Sequence, residues 1–277
     1  MRLARKTGFA CLIATAVACA TSVTQLRFGV VNRPIVEGRL KSYKQSDSER
    51  ETVMKTLFQS AGCSEGRLVE QPVKGSKLPN VICTLPGRTD SVIVVGANFD
   101  HAEAGDGVID NWSGASMLPS LYQALNIEPR RHTFVFVAFA GQHQGFLGSR
   151  FYANELSPDQ IQKIDAMVDI NSLGLGPTEV WVSRSDEKLV RALNGMAVSL
   201  KVPLTGINID WVDEYDEGAF VDRKVPTITV HSLNGRTPPL LLHLRKDNYS
   251  AVHFDEYYKS YRLLSAYLVL LDGLAAR

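Results

Sequence analysis

Side chains that can bind a metal or move a proton recur along this sequence, each group following a run of apolar residues. Asn98, Asp100 and His101 follow Val92-Ile93-Val94-Val95, and Asp110 and Asn111 come next. Gln142 and His143 follow the apolar run 133–140, and Asp169 and Asn171 close the run 166–170. Asp216 stands in a later loop, while His243 and Asp247 precede the last long helical pattern. Carboxylates and imidazoles are the residue types of acid–base catalysis and of zinc coordination. Sites in open α/β sheets lie beyond the carboxyl ends of the strands, which gives these scattered residues one place to converge. Competing chemistries lack their marks: there is no Gly-x-Ser-x-Gly elbow, glycine-rich nucleotide loop, His-Glu-x-x-His or Cys-x-x-Cys.

The elements that must position these residues alternate between helix and strand. Val53, Leu57 and Ala61 recur at four-residue spacing and predict an amphipathic helix over 46–61, closed by Gly62. Strand-like runs at 67–73 and 81–85 follow, then Val92-Ile93-Val94-Val95, whose unbroken apolar character predicts a central strand buried on both faces. Helices are expected at 116–126, 146–156 and 186–200, and strands at 133–138, 166–170, 179–183 and 227–231. Tyr257, Tyr261, Leu264, Leu268 and Leu271 predict a core-packed C-terminal helix from about Asp255. Pro119 predicts a late start or a kink in its helix, because an interior proline costs about 3 kcal/mol. Arg130-Arg131-His132 reads as a solvated turn. The alternation predicts one α/β domain with a mostly parallel central sheet covered by helices on both faces.

Four ordered motifs carry a resemblance. Val94-Val95-Gly96-Ala97-Asn98-Phe99-Asp100 resembles the "GAHxD" strand end of the zinc-dependent aminopeptidases, a family that also contains glutaminyl cyclases and the transferrin receptor ectodomain. Val108-Ile109-Asp110-Asn111-Trp112-Ser113-Gly114 resembles its "GADDNASG" loop. The stretch from Phe139 to Ser149 resembles "FxxEExGLLGS", and His243-Leu244-Arg245-Lys246-Asp247-Asn248 resembles "HTxxDT". The resemblance implies the zinc-exopeptidase fold and, because relatives have one there, a cis peptide between Asp110 and Asn111.

The same resemblance locates a metal centre and shows where this chain departs from it. Typical members hold two zinc ions on a shared aspartate, here Asp110. One ion is completed by a glutamate and a histidine, at the positions of His143 and His243. The other takes a histidine and an aspartate, which fall on Asn98 and Asn171, and the general-base glutamate falls on Gln142. Two zinc ions bring four positive charges to one remaining carboxylate, and amide oxygens are weak zinc ligands, so a two-zinc site is not expected. One zinc on Asp110, His143 and His243 is sound chemistry, since two imidazoles and a carboxylate leave a position for water. A neutral glutamine cannot take a proton from that water, and losing a positioned base costs about two to four powers of ten in rate. Asp216, Glu103 and Asp106 are candidate substitutes. Asp216 comes first, because its loop with Phe220 resembles "SDHxxF" beside the substrate amine, which makes it a substrate contact as readily as a base. Asp100 normally orients the missing imidazole at position 98 and is left without that partner. His101 reads as a solvated loop histidine.

At the N-terminus, Arg2, Arg5 and Lys6 precede an uncharged stretch to Gln25, the form of a secretory signal. Its strongly apolar part is shorter than the roughly 20 residues a membrane span needs. Ala18-Cys19-Ala20 fits cleavage after Ala20, giving a signal over 1–20, a linker over 21–40 and a domain over 41–277. Ala16-Val17-Ala18-Cys19 also resembles a lipobox, which would lipidate Cys19 and provide the chain's one membrane attachment. Export leaves Cys63 and Cys83 either as one disulfide or as two buried thiols. A net charge of +1 over 277 residues offers no basis for capturing nucleic acid.

The expected protein is thus exported to the periplasm or cell envelope. It has a peptidase-like cleft for a peptide or small amine, an eroded metal centre, and little or no aminopeptidase turnover. The alternative is an active one-zinc exopeptidase or a cyclase-like enzyme using Asp110, His143 and His243.

Overall fold

The computed structural model describes residues 26–102, 104–208, 216–233 and 246–274. Its apolar runs assemble into one eight-stranded sheet. In chain order the strands are β1 (Leu68–Gln71), β2 (Asn80–Leu85), β3 (Val92–Asn98), β4 (Thr133–Phe139), β5 (Ile164–Ile170), β6 (Thr178–Trp181), β7 (Leu204–Ile207) and β8 (Thr227–His231). Across the sheet the order is β1-β2-β4-β3-β5-β8-β6-β7. The central strands β4, β3, β5 and β8 pair in parallel. The antiparallel pairs lie outward, β1 with β2, β2 with β4 and β6 with β8.

Side chains of the central strands alternate between two cores. Ile93, Val95 and Ala97 face one core, where Val95 lies in register with Phe136 and Val168. Helices α1 (Arg33–Lys41), α2 (Asp47–Ser60), α3 (Ser113–Leu125), α6 (Glu187–Leu200) and α8 (Phe254–Gly273) cover that side. Val94, Val137 and Met167 face the other core, capped by Tyr152 of α4 (Leu147–Glu155), Ile161 of α5 (Pro158–Gln162) and Phe220 of α7 (Gly218–Val221). A sheet buried on both faces accounts for strands without polar alternation. Among the described residues no helix is long and apolar enough to cross a membrane.

The structure revises several expectations. The segment read as a linker over 21–40 holds α1, whose Val36 and Leu40 are buried, and Arg39 of α1 donates to Ser120 Oγ at 2.9 Å. Val31 donates its amide to Tyr261 Oη at 2.8 Å, so the packed chain begins before residue 41. Helix α2 buries Arg50, Met54 and Phe58 most deeply, with the expected Val53 and Leu57 half-buried beside them against the same core and Ala61 buried just beyond its end; Arg50 is satisfied by backbone carbonyls. Helix α3 starts at Ser113, earlier than expected, and runs through the buried Pro119. Cys63 and Cys83 form a disulfide with Cα atoms 6.3 Å apart, tying the end of α2 to β2. The signal, Cys19 and the lipobox lie outside the described residues.

Candidate functional site

The carboxyl ends of β3, β4 and β5 and the N-terminus of α3 meet around a buried group of polar side chains. Gly114 lets them meet, since a Cβ there would lie 2.3 Å from Ile170 O and 2.5 Å from Asn111 Oδ1. Asp110 and Asn111 sit in a wide helical turn, Val108–Trp112, that leads into α3, and the peptide bond between them is cis. Asn111 is saturated. Its Oδ1 accepts from Gly114 N and Ser172 N, both at 3.0 Å, and its Nδ2 donates to Ile170 O at 2.9 Å and to Asn98 Oδ1 at 3.0 Å. Asn98, fully buried at the end of β3, passes its own Nδ2 hydrogen to Asp100 O at 3.1 Å. Asn171 accepts from Ser172 Oγ at 2.8 Å, and its Nδ2 has no partner among the described residues.

Gln142 and His143 lie in a single helical turn after β4, between Gly141 and Gly145, both at positive φ. Asp100 positions that turn. Its two oxygens accept the amides of Gln142 at 3.2 Å and His143 at 3.3 Å. Asp100 therefore has partners after all, backbone amides in place of an imidazole. Gln142 is buried with its Oε1 unpartnered among the described residues, whereas His143 is exposed. Asp247 accepts the amides of Ile109 at 2.6 Å and Asp110 at 3.1 Å, while its own carbonyl accepts from Asp106 N at 2.8 Å.

The electrostatics follow from burial. Desolvation, then neighbouring carboxylates, push Asp169 well above the usual carboxylate range. Asp216 rises to about 8, chiefly by burial and further by Asp100, Glu217 and Asp110, while Ser149 draws it down. Asp247 rises to about 6, also mainly by burial. Burial drives His231 down to about 3. Its Nδ1 lies 3.2 Å from Leu233 N and 3.5 Å from Glu179 Oε2.

Of the residues singled out from sequence, the structure gathers Asn98, Asp100, Asp110, Gln142 and Asn171 at these strand ends, with Asp216 close enough to feel Asp100 and Asp110. His243 and Glu103 lie outside the described residues. Asp106 is turned away toward Gln45 Nε2, at 2.7 Å, and Tyr43 Oη, at 3.3 Å. His101 is not a solvated histidine, since its Nδ1 lies 2.7 Å from Asp47 Oδ1. Sequence reasoning missed Arg50 and Glu217. Arg50 donates to the carbonyls of Lys44, Phe99, Asp106 and Gly107 and so ties the loop after β3 to α2. Glu217 is fully buried at 3.5 Å from Arg184. Charged residues in loop-flanking positions gave no periodic signal of burial.

The described residues at these strand ends offer few charged donors for a pair of zinc ions. Asn98 spends both ends of its amide on protein partners, and Asn171 and Gln142 bring no charge. Among the described residues no three of His, Cys, Asp and Glu converge closely enough to hold a metal. A carboxylate with two imidazoles is a donor set suited to zinc, but of Asp110, His143 and His243 only the first two are described, Asp110 buried and His143 exposed.

Comparison with known proteins bears on the family and the fold. Peptidase family M28 matches over residues 80–268. Leucine aminopeptidase 2 of Trichophyton rubrum is 31% identical over 96 residues, which are 34% of this chain and 19% of that protein. This chain thus spans less than a fifth of the curated relative it matches. The LapA aminopeptidase structure of Legionella pneumophila superposes with a TM-score of 0.76 at 15% identity, covering 87% of this chain and 71% of that one. The glutaminyl cyclase structure of Macrostomum lignano gives a TM-score of 0.72 at 16% identity, covering 90% and 92%. At such identities these structures establish the shared fold.

Proposed function

Given that the chain belongs to peptidase family M28, we propose that it is a peptidase-like protein whose metal centre has eroded, leaving little or no aminopeptidase turnover and a cleft that binds a peptide or a small amine. The observation carrying this reading is the closed pair of amides at Asn98 and Asn111, which occupies a ligand position with internal hydrogen bonds. Gln142 at the general-base position supports it further, because a neutral amide does not accept a proton at neutral pH. In this reading the protein is exported to the periplasm or cell envelope, released by cleavage after Ala20 or, as the alternative, tethered to a membrane by lipid on Cys19. The Cys63–Cys83 disulfide supports an oxidising compartment.

A second reading keeps one zinc on Asp110, His143 and His243 in an active exopeptidase or a cyclase-like enzyme. It is favoured by the way buried carboxylates hold both described donors, Asp247 gripping the Asp110 amide and Asp100 the His143 amide. When bound, the ion would supply a Lewis acid and lower the pKa of a water. The deciding experiment measures zinc by mass spectrometry together with turnover of an aminoacyl reporter. At most one zinc per chain and turnover below about 1 per second are expected, because typical enzymes reach about 1 to 1,000 per second. Turnover within that range would establish the second reading, and two bound zinc ions would overturn both.

A further inference from the structure

At the amino ends of the central strands, opposite the candidate site, β5 breaks its regular pairing with β3. Val92 pairs with Ile164 and Ile93 with Ala166, which leaves Asp165 as the extra residue of a β-bulge. Residues two apart on a regular strand share a face, yet Ile164 packs into one core and Ala166 into the other. The bulge turns Asp165 toward His132, whose Nε2 lies 3.1 Å from Asp165 Oδ2 while its Nδ1 meets Asp272 Oδ1 at 3.3 Å. Bulges re-aim side chains in this way beside functional sites. Next to these charges lies a cavity of about 290 Å³, walled by Ile93, Ala166, Leu189 and Leu271, with Asp165 and His132 on its polar side. Pockets that hold small molecules start at roughly 300 Å³, so the space suits a small ligand.

Charge decides what kind of ligand that is. His132 spends both ring nitrogens on carboxylates, so it has no N–H left for an anion. One imidazolium between two carboxylates leaves one negative charge over. Asp165 Oδ1 accepts from no described residue. The positive end of α6, which also reaches the cavity, is already capped by Asp186 Oδ1, which accepts the amides of Lys188 at 2.8 Å and Leu189 at 3.2 Å. Among the described residues lining the cavity, the one other cation is Lys188, which is exposed. A cationic ligand therefore meets a fixed acceptor, whereas an anion meets only a solvated lysine.

We propose that this cavity is a second ligand site, taking a primary ammonium on a short apolar chain, with the ammonium on Asp165 and the chain against Ile93, Ala166, Leu189 and Leu271. The site is separate from the cleft and does not depend on any reading of it. Its residues stand at the starts of β3 and β5 and just before β4 and β8, whereas the candidate site lies at the carboxyl ends of the strands.

The test maps amide chemical shifts by NMR during titration with pentylammonium chloride, using pentanol and pentanoate as its uncharged and anionic counterparts. Pentylammonium should shift the amides of Asp165, Ala166 and Leu189, and both counterparts should bind at least about 10-fold more weakly, because the charge-assisted contact is lost. Asp165→Asn should weaken pentylammonium binding by about 10 to 100-fold. Ala166→Leu, which fills the cavity and leaves every charge in place, should abolish it. Absence of any shift overturns the site. Shifts confined to Asn98, Gln142 and Asn171 put the amine in the cleft, which overturns this site and leaves the proposed function standing. Equal affinity for pentanol, or tighter binding of pentanoate, overturns the assignment to an ammonium. Should Asp165→Asn fail to fold, Lys188→Ala decides, since that residue is exposed: binding of pentylammonium at least as tight as in wild type supports the site, and weaker binding overturns it.

Discussion

Asn111 donates its side-chain amide to Asn98 Oδ1 at 3.0 Å, and Asn98 in turn donates to Asp100 O at 3.1 Å. The pair joins the end of β3 to the turn before α3, with both the Oδ1 and the Nδ2 of Asn98 engaged by protein groups. Restoring a histidine here by Asn98→His should therefore fail to recruit a second zinc, because Asn171 and Gln142 still bring no charge. It should also leave one Asn111 N–H without its acceptor, costing about 1–3 kcal/mol. Metal analysis and urea denaturation of the variant measure both effects, and uptake of a second zinc by this single change would show that the hydrogen bonds do not block the position.

Gln142 is buried beside the Asp100 that fixes its backbone. A glutamate in its place would stand near Asp100 and Asp216, whose negative charge raises its affinity for a proton, as a general base requires. With zinc supplied, Gln142→Glu should hydrolyse an aminoacyl reporter about 100 to 10,000-fold faster than wild type. Equal rates would show that loss of the base is not what silences the cleft.

The local pattern carried the strands and the strand-end loops, because unbroken apolar runs mark buried parallel strands and the polar residues behind them have nowhere else to go. It carried the Val108–Trp112 turn through its motif. It did not carry the partners. Asp247 meets Ile109 across 138 residues and His132 meets Asp272 across 140, and no period within one helix or strand encodes such a pairing. Arg130-Arg131-His132 illustrates the cost: three basic residues look solvated, yet Arg130 and His132 are each 2% exposed because acceptors elsewhere in the chain draw them in.

His132 places Nε2 3.1 Å from Asp165 Oδ2 on β5 and Nδ1 3.3 Å from Asp272 Oδ1 on α8. A neutral ring can donate from one nitrogen only, so this geometry calls for the cation. Burial is the largest single influence and opposes the charge, but the hydrogen bonds to Asp272 and Asp165 together outweigh it and raise the His132 pKa above its ordinary value. A raised pKa means stability that is full below the unfolded value of about 6.5 and is lost as pH climbs through the folded value. Asp272 is held below the usual carboxylate range, so its contribution fades only in strong acid. His132→Asn should thus cost about 1.5–3 kcal/mol near pH 5–6 and progressively less at alkaline pH. Denaturation of both proteins across that range tests it, and a pH-independent difference would mean the ring is neutral throughout.

Arg50 is fully buried on α2, and its guanidinium donates to the carbonyls of Lys44, Phe99, Asp106 and Gly107 while lying 5.6 Å from the centre of the Trp112 ring. Burial lowers its pKa to about 10, offset in part by Asp47, Asp247, Asp100 and Asp106, so it stays charged at neutral pH. A planar fork with five donors can serve carbonyls on several sides at once, whereas a lysine ammonium reaches fewer of them. Arg50→Lys keeps the charge and still should destabilise the protein, by on the order of 1–3 kcal/mol for each carbonyl left without a donor. The looser loop would free the 99–107 segment, so amides there should exchange faster than those of the remote α8. Because Gly107 begins the turn that carries Asp110, zinc affinity should fall as well. Full stability in Arg50→Lys would mean that charge alone, rather than the fork, holds the loop against α2.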